Sequence, residues 1–156
     1  MSVLANFGVL AGLIFLAIGI RQNTKAQYAQ TRQAILSASR EEIVLTMENP
    51  GLIFALTGAD PLTHEENVRV DGFLSVLLRS REFAWLQYRD KVIDKVQWST
   101  EFNVLVAFFD SSRTRVWWNV IGRSLFSDEF ARFVDNQILD TPATNQMLPQ
   151  LLNWAN

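Results

Sequence analysis

The sequence predicts an all-α protein: a single N-terminal transmembrane helix continuing into a long helix, then a cytoplasmic bundle of four or five helices. Three observations predict it. The stretch from Val3 to Ile20 carries no charged side chain. No Pro or Gly interrupts the chain from Arg21 to Glu48. Beyond that, apolar residues recur at helical rather than alternating spacing, with helix-starting residues at the head of the runs. These features divide the chain into an anchor at 1–20, a juxtamembrane helix at 21–48 that runs into the bundle, the bundle at 49–140 and an apolar tail at 141–156.

The first stretch reads VLANFGVLAGLIFLAIGI, with Asn6 its only strongly polar side chain. As a helix it would extend roughly 27 Å, close to the hydrocarbon thickness of a bilayer. A secretory signal would need a charged leader and a small-residue cleavage site, and Met1 and Ser2 supply no charge. Arg21, Lys25 and Arg32 follow the stretch and nothing basic precedes it. The positive-inside rule then sets the N-terminus outside and the rest of the chain in the cytoplasm. The same three cations are candidate contacts for anionic lipid head groups. Gly8 and Gly12 form a GxxxG, and Phe15 and Gly19 continue its face. Small residues there let a second membrane helix approach closely, from another subunit or from a second copy of the chain.

Arg21 to Glu48 is rich in Gln, Ala, Arg and Glu, all good helix formers. Its second half gains apolar residues at Ile35, Leu36, Ile43 and Met47, with Ala38 between, and these are expected to form one packed face. Asn49-Pro50-Gly51 ends the helix, and Leu52 to Leu56 forms a short one. Thr63 and Glu66 have the spacing of a capping box. The helix they open runs to about Arg89 and turns Val70, Phe73, Leu74, Leu77, Ala84, Trp85 and Tyr88 inward. After a break, Ile93 to Asp110 is helical, with Val96, Phe102, Leu105, Val106 and Phe109 inward. Ser111 or Ser112 caps a helix through Val116, Trp117, Val120 and Ile121. Ser127-Asp128-Glu129 opens the last clear helix, with acids suited to its N-terminal dipole. Phe130, Phe133, Val134 and Ile138 face in, and Asp140-Thr141-Pro142 ends it. The tail holds Met147, Leu148, Leu151, Leu152 and Trp154 and no charge after Asp140. Its apolar residues need cover, from the bundle, the bilayer interface or a docked partner.

Composition excludes several classes of function. The net charge is −2, and no basic stripe of nucleic-acid type occurs. There is no Cys, hence no disulfide, thiolate metal site or Cys nucleophile. His64 is the only histidine and reads as an exposed residue at a helix start, with no HExxH around it. Asp90, Asp94, Lys91 and Lys95 read as interleaved surface charges rather than an acid–base pair. No Gly-rich phosphate loop and no GxSxG occurs. No cofactor is expected. Trp85, Trp98, Trp117 and Trp118 read as core aromatics first and as a ligand pocket second.

The order of motifs resembles that of a widespread group of uncharacterised bacterial proteins with one N-terminal span. The residues that carry the resemblance are Ile20-Arg21-Gln22-Asn23-Thr24 after the span, then Gln87-Tyr88-Arg89 with Ile93-Asp94 and Trp98. Trp117-Trp118, Leu125-Phe126-Ser127, Phe130 and Phe133-Val134-Asp135 follow. Together they cover most of residues 10 to 139, leaving out the tail after Asp140. The resemblance implies a helical domain tethered to a bacterial inner membrane, and it brings no activity, cofactor or catalytic residue with it. The expected function is therefore non-enzymatic: an accessory or scaffolding subunit docking on other membrane protein subunits through its span and its bundle. The alternative is a membrane-tethered sensor or regulator holding a small ligand in an aromatic-lined pocket.

Overall fold

The computed structural model describes the backbone of residues 3–152 and the side chains of residues 8–10 and 12–150. Among them are seven α-helices and no strand. α1 (Val3–Glu48) is one unbroken helix of 46 residues, about 69 Å long at 1.5 Å per residue. Only its last third meets the domain. Ile35 and Glu42 are buried there, and Ala38, Ser39, Leu45 and Thr46 are half-buried. Asn49 closes it by turning both its backbone N–H and its side-chain amide back to the Leu45 carbonyl, each at 3.1 Å.

α2 (Gly51–Thr57) buries Leu52, Ile53 and Leu56. Like any α-helix it leaves its last carbonyls without intrahelical donors, and residues around the start of α5 supply them. Ser111 donates to the Leu56 carbonyl at 2.8 Å, and Arg113 donates to the carbonyls of Ala55 and Asp60. α3 (His64–Arg89) starts in the expected capping box: the Glu66 N–H donates to Thr63 Oγ1, and the Thr63 N–H to the Glu66 carboxylate. It ends in a Schellman turn. Val92 N–H reaches the Gln87 carbonyl, Lys91 N–H reaches that of Tyr88, and Lys91 itself sits at φ 60°. α4 (Lys95–Phe109) is capped by Asp94, α5 (Ser112–Val120) by Ser111 and α6 (Asp128–Gln137) by Ser127. A 3-10 turn at Gly122–Leu125 joins α5 to α6. Gly122 is required there, because a Cβ would run into the Trp117 ring. α7 (Met147–Leu152) closes the described chain.

The main core lies between α3, α4, α5 and α6. Leu74, Leu78, Leu105, Phe109, Trp118, Phe130 and Val134 have essentially no solvent contact. A smaller cluster of Ile35, Ala84, Ile93 and Trp98 seats α1, with Tyr88 stacked on Trp98 at 5.6 Å.

Three sequence expectations fail in packing. Leu36, Ile43 and Met47 do not join Ile35 in the packed face of α1: they stand 64, 60 and 75 % exposed. The line that meets the bundle runs instead through Ile35 and Glu42, a full two turns apart. Val96 is 78 % exposed rather than inward, because the cap at Asp94 turns the first turn of α4 so that Trp98 faces the core. Asp90 and Asp94 are not helix-surface neighbours either, since one ends α3 and the other begins α4.

Candidate functional site

Among the described residues no group of three or more His, Asp or Glu could hold a metal ion. What the fold builds instead is an exposed rod and two buried polar joints that fasten the chain ends to the bundle.

The rod is α1 before Arg32. Val9, Leu10, Leu13, Ile14, Phe15, Leu16, Ile18 and Ile20 are all exposed. A Cβ on Gly8, Gly12 or Gly19 would meet nothing. Among the described residues no helix is long and apolar enough to cross a membrane. Residues 3–7 and 11 of the expected span lie outside the described side chains. Arg21 and Lys25 are exposed, while Arg32 makes the first link to the domain, 3.4 Å from Asp94 across an exposed pair.

The first joint fastens α1. Arg81 on α3 is only 3 % exposed. Its guanidinium grips the Glu42 carboxylate of α1 by both oxygens, at 2.7 and 3.4 Å, and the Glu101 carboxylate of α4 at 3.0 Å. Ser80 adds a hydrogen bond to Glu42. Burial pushes the Glu101 carboxyl up; Arg81 pulls it back, Glu42 pushes it up again, and it ends above the usual range. Two carboxylates share one cation, so the joint is short of positive charge. Beside it, between α1 and α4, opens an apolar groove of about 350 Å³ lined by Ile43, Met47, Val104 and Phe108, with Phe73 and Leu77 behind.

The second joint fastens the tail. Asp110 follows the last turn of α4 and is buried. Its carboxylate accepts from Thr144 N–H at 2.7 Å, the Thr144 hydroxyl at 2.8 Å, Gln146 N–H at 2.9 Å and Met147 N–H at 3.0 Å. Asn145, at φ 57°, reaches back to the Ser112 N–H at 2.7 Å. Burial pushes the Asp110 carboxyl up, but these donors outweigh it and hold it below the usual range.

The tail's described part therefore lies on the bundle. Leu148 is 5 % exposed and belongs to the main core, so it is not free to dock on a partner, and Met147 is exposed at the rim. The side chains of Leu151 and Leu152, and Trp154 altogether, lie outside the described residues. The four described tryptophans fill space rather than line it. Trp98, Trp117 and Trp118 are buried, Trp85 packs between Phe130 and Phe133, and the buried indoles of Trp117 and Trp118 donate to Asp71 at 2.7 Å and Asp135 at 3.0 Å. His64 is exposed at the first residue of α3.

The residues that sequence reasoning passed over are Glu42, Arg81, Glu101 and Asp110. Two carried a signal. Arg81 follows Leu74 and Leu77 at seven and four residues on the inward stripe of α3, and Glu101 stands between Trp98 and Leu105 on that of α4. A charge on an apolar stripe is a charge bound for burial, and burial demands a partner. Asp110 carried none, since its donors lie more than thirty residues away.

Comparison with protein-family models, with curated proteins and with solved structures found no match.

Proposed function

We propose that the protein is a membrane-anchored, non-enzymatic accessory or scaffolding subunit of a larger membrane protein complex, its domain on the cytoplasmic side. The observation that carries this reading is the state of α1. Eight apolar side chains between Val9 and Ile20 stand exposed on a helix that leaves its own domain behind. Left in water they would forgo on the order of 10 kcal/mol of burial free energy. The stretch is uncharged, has about the length of a bilayer crossing and ends at Arg21 and Lys25, which favours lipid as the cover. The apolar groove beside Ile43 and Met47 offers the domain a place for binding.

The test is purification of the full chain in mild detergent, followed by native mass measurement. Resistance to alkaline carbonate extraction and a stoichiometric foreign polypeptide in the purified species are expected. Release from membranes by carbonate would overturn the anchor. A species made of this chain alone would overturn the accessory-subunit reading.

A further inference from the structure

The exposed side of α1 has a second order in it. Steps of four and three residues, taken alternately from Gly8, reach Gly12, Phe15 and Gly19, the expected helix-packing face of the apolar stretch. The same steps continue without a slip through Gln22, Ala26, Ala29 and Gln33. They then arrive at Leu36, Arg40, Ile43 and Met47. Every residue on this line is exposed. It is rich in glycine at the membrane end, with Phe15 among the glycines, and carries Leu36, Ile43 and Met47 at the domain end, with Arg40 its only charge. The other charged residues of α1, Glu42 and Arg32 among them, lie off it. The bundle binds α1 along the Ile35–Glu42 line and leaves this one open, although Leu36, Ile43 and Met47 offered more apolar surface to bury.

A line of mean spacing 3.5 drifts around a straight helix of period 3.6, and it closes on a partner only in a left-handed supercoil. We propose that α1 pairs in parallel with α1 of a second copy of this chain, along one seam of about 58 Å from Gly8 to Met47. A second copy fits better than a foreign helix for a reason of symmetry. In a parallel pair of identical helices each layer meets itself. Gly8, Gly12 and Gly19 then meet glycines, allowing the close approach that packing in lipid needs. Ala26 and Ala29 keep the same short distance through the polar stretch, and Leu36, Ile43 and Met47 form apolar layers beside the bundle. Gln22, Gln33 and Arg40 are isolated polar layers. Such layers cost stability but fix register and strand number, and Arg40 can lift its guanidinium out along the seam's edge. The Ile43 and Met47 side of the groove next to α4 would be covered by the same contact.

This inference rests on the anchored reading for its Gly8–Gly19 half only, and the two fail separately: carbonate extraction reads the anchor, and cross-linking in the water-exposed half reads the pair. The chain has no cysteine, so single-cysteine variants of the full chain in native membranes report position directly. Ala29→Cys, Leu36→Cys and Ile43→Cys lie on the seam; Gln27→Cys, Ala34→Cys and Glu41→Cys are exposed controls off it. Mild oxidation is expected to convert the first three to disulfide-linked homodimers at least fivefold more than the second three. Equal cross-linking in both sets, dimers at neither, or cross-linking of seam cysteines only to foreign polypeptides would each overturn the proposal. All six positions are exposed, so folding of the variants is not at issue; circular dichroism and purification yield equal to the parent check it.

Discussion

The two ends of this chain are fastened to the same bundle by buried carboxylates, and in opposite ways. At the α1 joint, Glu42 and Glu101 share Arg81, three charges in a space nearly closed to water. At the tail joint, Asp110 is a lone anion satisfied by neutral N–H and O–H donors from Thr144, Gln146 and Met147, all within four residues of one another. The first is an ion cluster, whose net worth depends on each charge being matched. The second resembles a helix cap, in which an anion gains from oriented dipoles at little geometric cost. α1 is held with few apolar contacts: Ile35 is its one buried hydrophobe among the described residues, and the ion cluster supplies the remaining specificity of register.

The largest loss is expected on removing the cation. Arg81→Met leaves two buried carboxylates facing each other without charge compensation. A loss of about 3–5 kcal/mol in denaturant unfolding of the detergent-solubilised chain is expected. A loss below about 1 kcal/mol would show that the cluster merely breaks even with apolar packing. On the tail side, Leu148→Ala should cost about 2–5 kcal/mol, because its side chain sits in the main core. An unchanged midpoint would return the tail to the surface.

Asp110→Asn keeps the shape of the tail joint and removes its charge. About 1–3 kcal/mol should be lost, as expected for hydrogen bonds to a charged acceptor. The loss should be local: hydrogen exchange accelerates at the Thr144, Gln146 and Met147 amides while amides of α3 keep their protection. Matching acceleration throughout the bundle would mean the tail is part of its cooperative unit.

The two joints also differ in their response to acid. Asp110 is held below the ordinary aspartate range, so its contribution is complete above that range and is lost as pH falls through the lowered value. Glu101 is held above the ordinary glutamate range, so its charge works against the fold, and mild acid relieves that cost as the residue protonates. From neutral pH to about 5, still above ordinary carboxylate values near 4, the tail amides should stay protected and the α1 joint should not weaken. Tail release should appear only at lower pH. Release of the tail before that point would contradict the geometry of Asp110. The smallest effect belongs to Arg32→Gln. Its pair with Asp94 is exposed, and its removal should shift stability by no more than about 0.5 kcal/mol, in contrast to the buried Arg81.

Several helix starts and one stop were legible in the sequence. Thr63 with Glu66, Asn49-Pro50-Gly51, Ser111 and Ser127 act within one turn of backbone, so their effect is readable wherever they occur. The sequence also determined that residues at helical spacing such as Phe73, Leu74, Leu77 and Phe130 would be core. Only the tertiary structure decided which face of α1 meets the bundle. Hydrophobicity favours the Leu36, Ile43 and Met47 line, and local periodicity contains nothing against it. The packed line is chosen by Arg81, thirty-nine residues beyond Glu42, because a guanidinium buried on the inward stripe of α3 is costly until anions reach it. The same holds for Asp110 and the tail. A cap whose donors lie on a distant segment exists only once the chain has folded back, and no local pattern can announce it.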